Sequence, residues 1–383
     1  MPQNIFAAEF VLPGHPDKLA DQIADALVQR ASHHEHRALC GVEVAVHQDV
    51  VLVTGRIACR DAESIDVPAI VRSVYHNAGH GETWLPDPEC LQIRTDLCRG
   101  PLNDGESEFR AVADDQNIVV GYAIDSPGTN YLPLEHWLAG RLARRLETLT
   151  QQSDLRLGPD GKLLVVLEET DQTQRLLEVS VSLQQSDHGS SLELQREVDR
   201  LLREELQAVS DLILTFSAQL PKVVTVNGAG GFAVGGPIGD NGLSGKKLVV
   251  DAYGPRVPIG GGALSGKDFY KVDRAGAILA RRLAKAVVLT GSAREATVHL
   301  SFFPGDTRAR ILSMRNEDGT YLPVERWNEL FDLTLQSVGD RFGQFDQLID
   351  VARYGHFTEP DLPWESLSFD GPFGCKDQFP PAL

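Results

Sequence analysis

Three times along the chain the spacing of apolar residues changes in the same order: a helical period, two stretches of alternation, then a helical period again. The first leading helix starts at Pro16 with Leu19, Ile23 and Leu27 on one face. Its counterparts carry Leu138, Leu142 and Leu146, and then Val272, Leu279 and Leu283. Each is followed by two alternating strands. VEVAV and VVLVTGRI flank His47 to Asp49, LLVVLEE and LLEVSVSL flank Asp171 to Thr173, and TVHLSFF and ARILSM flank Pro304 to Thr307. Polar turn residues between them predict three hairpins. The closing helices carry Ile65, Ile70 and Val74; then Leu194, Val198, Leu201 and Leu202; then Trp327, Leu330, Phe331, Leu335 and Val338. A period of about 120 to 140 residues is far longer than a solenoid unit. The pattern therefore predicts an α+β protein of three similar helix and antiparallel-sheet domains, at residues 1–101, 108–222 and 223–383. Each sheet would turn one face to helices and leave the other to pack on a sister domain.

With 383 residues and 42% hydrophobic content the chain can bury several cores. Acidic residues outnumber basic ones 54 to 36, a formal charge of −18 that disfavours nucleic acid or an anionic membrane as partner. An anionic substrate would need locally clustered cations or metal ions. The opening MPQNIFAAEFVL lacks a basic start and a long apolar run, and no later stretch reaches bilayer length, so the expectation is a cytoplasmic protein. The five cysteines, Cys40, Cys59, Cys90, Cys98 and Cys375, form no CxxC pair and are expected as free thiols.

Two segments concentrate chemistry. In GHPDKLADQIADAL, Pro16 suits the first helical position and Asp17 the first turn. A helix start explains those two residues but does not ask for His15 or Lys18. The same spacing allows His15 to meet a phosphate while Asp17 holds a divalent cation, and both readings stay open. The second segment runs from Asn227 to Arg274 and repeats Leu-Ser-Gly-Lys, at Leu243 to Lys246 and at Leu264 to Lys267. Glycines precede each copy and let backbone N–H groups approach an anion. Lys246, Lys247, Lys267 and Lys271 lie together here in an acidic protein, which fits a polyphosphate site.

Gly261 to Asp268 falls one residue short of the P-loop pattern, with Asp268 where a hydroxyl is needed. PRVPIG also separates it from the stretch KLVVDAY, read as a strand, so a P-loop is rejected. VADDQN, with Asp114, Asp115 and Gln116, and GPDGK, with Asp160 and Lys162, read as turns before strands. Tyr354 to Phe357 and Pro363 to Glu365 read as structural anchors.

Taken in order, GHPDK, GGPIGD, GGGALSGKD, KVDR and YGHF resemble the S-adenosylmethionine synthetase, or methionine adenosyltransferase, family over nearly the whole chain. The resemblance implies three α+β domains with pseudo-threefold symmetry and an active site between two subunits of a homodimer or tetramer. It implies a transferase of one-carbon metabolism that joins ATP to methionine, or to a close thioether, and cleaves the triphosphate to phosphate and diphosphate. Magnesium and potassium would be its cofactors. His15, Lys162, Lys246, Lys247 and Lys267 would contact the triphosphate, with Asp17 and Asp273 holding magnesium and Glu43 holding potassium. Phe232 and Ala263 would line the nucleotide pocket, Asp115 and Asp160 would lie near the ribose, Lys271 would meet the substrate carboxylate, and Asp240 would touch substrate or nucleotide. His15, Lys162, Lys247, Lys267 and Asp240 form the implied catalytic set.

Certain positions depart from the family pattern. Where the family has a glutamate that receives the methionine ammonium, this chain has Arg56. Two like charges about 4 Å apart repel by about 4 kcal/mol at an effective dielectric near 20, a loss of several hundredfold in binding if uncompensated. Arg99 stands where the family has a methionine-binding glutamine. With Lys271 these arginines would suit a carboxylate, so an alternative substrate lacks the ammonium or carries a second carboxylate; in a further variant Arg56 turns into a salt bridge and a nearby acid takes the place of the lost glutamate. The family GDQG reads Asp114-Asp115-Gln116-Asn117, the segment from Arg99 to Asp115 is short, and Gly231 replaces an arginine before Phe232. A silent, regulatory homologue is the reading from a different class. The retained lysines and aspartates speak against it.

Overall fold

All three pairs of alternating stretches form hairpins in the computed structural model, which describes residues 4–170 and 172–367. Asp171, in the second turn, and Cys375 lie outside the described residues. The strands are β1 (Asn4–Val11), β2 (Leu39–His47), β3 (Val50–Ala58), β4 (Gln92–Gly100), β5 (Asn117–Ile124) and β6 (Leu157–Glu169). They continue with β7 (Gln174–Gln185), β8 (Val223–Val226), β9 (Gly242–Leu243), β10 (Glu295–Phe302) and β11 (Arg310–Arg315). They make three sheets, ordered β4-β3-β2-β9, β1-β6-β7-β8 and β11-β10-β5.

The sheets exchange strands in a cycle. β1 precedes the first hairpin yet pairs with β6 of the second; β5 precedes the second hairpin yet pairs with β10 of the third; β9 precedes the third yet pairs with β2 of the first. Each hairpin is thus completed by a strand from a different segment of the chain. The sheets are not purely antiparallel, because β4 joins β3 and β8 joins β7 in parallel. Both of those connections run through a helix, Val67–Ala78 and Ser191–Leu212, which is what a parallel crossover requires.

The three leading helices, Pro16–His34, Leu134–Gln152 and Val272–Leu289, bury the faces their periods mark. Leu19, Ile23, Leu27, Leu138 and Leu283 are fully buried, each stabilising the fold by about 1.5–3 kcal/mol relative to exposure. Opposite the helices, the sheets keep apolar groups in the open: Leu52, Leu164 and Ile118 are exposed, one on each sheet.

Some local expectations need correction. GPDGK is the start of β6, where the pairing with β7 is irregular between Leu157 and Gly161, and not a turn. KLVVDAY holds a short half-buried helix, Leu248–Asp251, where a strand was expected. The last closing helix is two, Glu325–Leu330 and Leu335–Phe342, because Thr334 is extended and caps the second with its hydroxyl. Tyr354 to Glu365 anchors as read: Trp364 is buried, and Glu365 pairs with Arg281 and Lys285 inside the fold. Among the described residues no helix is long and apolar enough to cross a membrane.

Candidate active site

His15 is the N-cap of the helix Pro16–His34, and its Nδ1 accepts the Asp17 N–H at 3.2 Å. An accepting Nδ1 places the proton of the neutral ring on Nε2, a ready donor. Burial, with Lys247 and Lys162 nearby, pushes the ring down to about 4 against the pull of Asp17, so it is neutral at pH 7. The bland and functional readings of His15 are therefore compatible: one nitrogen caps, the other is free to donate.

Along the same helix Asp17, Asp21 and Asp25 recur every four residues and face one way. Asp17 Oδ1 accepts from Leu243 N–H at 3.0 Å and Oδ2 from Lys247 Nζ at 2.6 Å, with Lys246 Nζ 3.5 Å from Oδ1. Asp21 Oδ1 accepts from Gly245 N–H at 2.7 Å, and Asp25 Oδ1 from Gly266 N–H at 2.9 Å. A ladder of carboxylates thus holds both Leu-Ser-Gly-Lys loops. Both loop glycines are left-handed, with φ of 74° and 85°. A Cβ on Gly266 would stand 2.3 Å from the Val42 carbonyl, and one on Gly245 would stand 2.4 Å from Cβ of Ala263, the point where the loops touch. Below the ladder Lys18 is fully buried between Asp21, at 3.1 Å, and Asp251. Burial raises the Asp17 carboxyl, but the Lys247 and Leu243 bonds outweigh it and hold the group below its ordinary value.

Beside His15 lies a cleft of about 410 Å³ lined by Asp160, Lys162, Asn227, Phe232 and Asp240. The β6 irregularity turns Asp160 inward, where Oδ2 accepts Gly236 N–H at 2.7 Å and burial pushes its carboxyl up to about 6. Lys162 is half exposed and pairs with Glu9 at 2.7 Å. Phe232 is half-buried and Asp240 exposed. Gly231, next to Phe232, also borders the cleft. Donors, an inward carboxylate and an aromatic side chain in one cleft match the parts of a nucleotide.

Arg56, Glu43, Lys267 and Lys271 gather on the outer face of sheet β4-β3-β2-β9. Gly41 of β2 sits opposite Arg56 of β3 and bridges Lys267, and its Cα faces Lys271, whose Cε would stand 3.8 Å from a Cβ there. Arg56 Nη2 donates to Glu106 Oε2 at 2.7 Å, Lys271 pairs with Asp114, and Lys267 Nζ is 3.9 Å from the exposed Glu43. Arg99 does not join Arg56. Register places it beside Ile57, so the pleat sends it to the opposite face, where Nη1 donates to the carbonyls of Ile65 at 3.1 Å and Glu63 at 3.4 Å. Asp115 is exposed and caps the Gln116 N–H. Leu243 pairs with Ala45 while Lys267 bridges Gly41, so the two lysine loops lie four residues, about 13 Å, apart along β2.

Asp273, in the first turn of the helix Val272–Leu289, accepts from Asn117 Nδ2 at 2.8 Å, and burial raises its carboxyl. A Cβ on Gly262 would fall 1.7 Å from Asp273 Oδ1, so that oxygen sits in the space a side chain at 262 would fill. Such a carboxylate fits magnesium, which takes one or two carboxylates and completes its shell with water and phosphate. Among the described residues no group of three or more His, Cys, Asp or Glu could cage a metal ion alone. Glu43 offers potassium one exposed oxygen already beside a lysine, which does not by itself fit the ion.

The descriptions of the S-adenosylmethionine synthetase N-terminal, central and C-terminal domains match residues 3–93, 110–232 and 234–366. The chain is 31% identical to the S-adenosylmethionine synthase of Petrotoga mobilis, over 96% of this chain and 97% of that protein. It is 34% identical to that of Thermosynechococcus vestitus, over 95% of each. The chain belongs to the S-adenosylmethionine synthetase family. In this methionine adenosyltransferase-family enzyme, sequence reasoning reached both lysine loops but missed the residues that hold them, Asp21, Asp25 and Asp251. The four-residue spacing after Asp17 was the available signal for the first two. Glu106 gave no signal, because its partner is fifty residues away in sequence.

Proposed function

We propose that the chain transfers the adenosyl group of ATP to the sulfur of methionine, forming S-adenosylmethionine, and then cleaves the released triphosphate to phosphate and diphosphate. The observation that carries this reading is the cleft that His15, Lys162, Asp160 and Phe232 line together, next to Asp17 and the lysine loop it holds. A thioether sulfur is a neutral nucleophile with no proton to lose. The work is therefore alignment of sulfur with C5′ and stabilisation of charge growing on the leaving triphosphate. His15 donates from Nε2, Lys162, Lys246, Lys247 and Lys267 supply point charges, Asp160 accepts from a ribose hydroxyl, and Phe232 lies against the base. Asp17 and Asp273 would hold magnesium, which when bound neutralises phosphate oxygens.

The cleft and the Arg56–Lys271 patch lie on outer faces of different sheets, which also expose Leu164 and Leu52. Self-association through these faces would bury the apolar groups and bring the two halves of a site together. This supports a homodimer or a higher assembly built on it.

A substrate without an ammonium group is less well supported, since Arg56 is engaged by Glu106 and Arg99 by backbone carbonyls. The test is incubation with ATP, magnesium and potassium plus methionine or 4-methylthio-2-oxobutanoate, with mass detection of the sulfonium and a phosphate assay. S-adenosylmethionine from methionine is expected. No sulfonium from either substrate would overturn the reading and leave a silent homologue.

A further inference from the structure

We propose that Glu106 receives the ammonium of an α-amino acid thioether, so that a residue of the segment between β4 and β5 sets substrate specificity in this chain. The proposal rests on the adenosyl-transfer reading above and deepens it. Both bonds that Glu106 accepts use one oxygen: Oε2 takes Arg56 Nη2 at 2.7 Å and Asn103 N–H at 2.6 Å. Oε1 makes no hydrogen bond among the described residues, and the side chain is 22% exposed. One oxygen is thus spent on position, and the partly exposed carboxylate keeps its second oxygen outside those two bonds, with the Asn103 side chain close by. The Asn103 N–H, with Arg56, also holds the carboxyl below its ordinary value, so it is charged at neutral pH.

The surroundings fit a zwitterion. Glu106 and Asp114 lie on one segment and reach the two cations of the patch, Arg56 and Lys271. Two positive and two negative groups balance. Between them the segment is pinned by Arg110, which is buried, donates to the Ala38 carbonyl at 3.2 Å and pairs with Asp268. Arg37 adds a bond to the Ser107 carbonyl at 3.3 Å. An incoming carboxylate can take Lys271 from the exposed Asp114, while an ammonium meets Glu106 Oε1 with Arg56 still on Oε2. A thioether that carries a keto group in place of the ammonium would leave Oε1 facing no cation. Arg56, which opposes an ammonium when alone, instead acts as a positioning residue for the carboxylate that binds one.

The experiment uses the full chain with ATP and magnesium. Steady-state kinetics and calorimetric binding of methionine would be compared for the wild type, Glu106→Gln, Glu106→Asp and the double variant Arg56→Gln/Glu106→Gln. Loss of a charge-assisted hydrogen bond predicts that Glu106→Gln raises the methionine KM and Kd by roughly ten- to a hundredfold, with kcat and the ATP KM nearly unchanged. Glu106→Asp recovers part of the loss. The double variant remains weak. If Glu106 only neutralised Arg56, the double variant would regain methionine binding, and that result would overturn the proposal. Unchanged methionine binding in Glu106→Gln would overturn it too. Because calorimetry run with ATP omitted reads methionine binding without turnover, a wild type that binds methionine but forms no sulfonium marks failure of the adenosyl-transfer reading and not of this one.

Discussion

Asp21 Oδ1 accepts the amide N–H of Gly245 at 2.7 Å, joining the second turn of a buried helix to the turn of the first Leu-Ser-Gly-Lys loop. The carboxylate also faces Lys18, which Asp251 shares. Asp21→Ala removes an acceptor from a left-handed turn and half the partners of a buried ammonium. The expected destabilisation is on the order of 3 kcal/mol, seen as a lower thermal midpoint. Tripolyphosphate affinity should fall about tenfold in protein that is still folded, since Lys246 and Lys247 leave with the loop. Unchanged affinity would mean that the loop holds its shape without the ladder.

Gly262 tests the magnesium assignment. A methyl group there would stand 1.7 Å from Asp273 Oδ1, so Gly262→Ala must displace that carboxylate. The magnesium concentration giving half-maximal activity should rise by about tenfold, with circular dichroism unchanged. An unaltered magnesium requirement would remove Asp273 from the metal site.

The His15 ring should titrate near 4 in the free protein, because burial and the neighbouring lysines disfavour the cation. The folded value lies below that of the unfolded chain, so the ring's contribution to stability is fully present above about pH 6.5 and is lost as pH falls towards 4. Adding tripolyphosphate should raise the midpoint by placing negative charge beside Nε2. Nuclear magnetic resonance of the ring Cε1–H reads both values. A free-protein midpoint near 6.5 would contradict the buried, capping geometry.

Asp160 predicts the opposite slope. Burial raises its carboxyl to about 6, so the folded state binds the proton more tightly than the unfolded one. Stability from this group is therefore greatest below about pH 4 and falls as pH rises to 6. Compared with the wild type, Asp160→Asn should gain about 3 kcal/mol across that window and nothing further above it. Thermal midpoints from pH 4 to 8 measure the difference, and parallel curves would show that Asp160 is not desolvated.

The parts legible in the sequence were those governed by local period and local chemistry. Leu19, Ile23 and Leu27 marked a buried helix face, and the hairpin turns lay where the alternation broke. The α+β class and the family followed from the repeat and from motifs spread over the whole chain. Strand exchange was not legible, because nothing local in Asn4 to Val11 names β6 as its partner. Asp160 read as a turn residue because the β6 irregularity that turns it inward depends on pairing with β7. The Arg56 departure could be read, but its answer, Glu106, could not: the contact is made across the fold, between a strand and a short helix with no periodic signal.

The central claim is that bond making occurs at C5′ of ATP and not at phosphorus. ATP enriched with carbon-13 at C5′, incubated with the protein, magnesium and methionine, tests it in one spectrum. The labelled carbon is expected to move from the chemical shift of a phosphate ester to that of a carbon bonded to a sulfonium, as phosphate and diphosphate accumulate. A labelled carbon that stays esterified while ADP or AMP appears would contradict it.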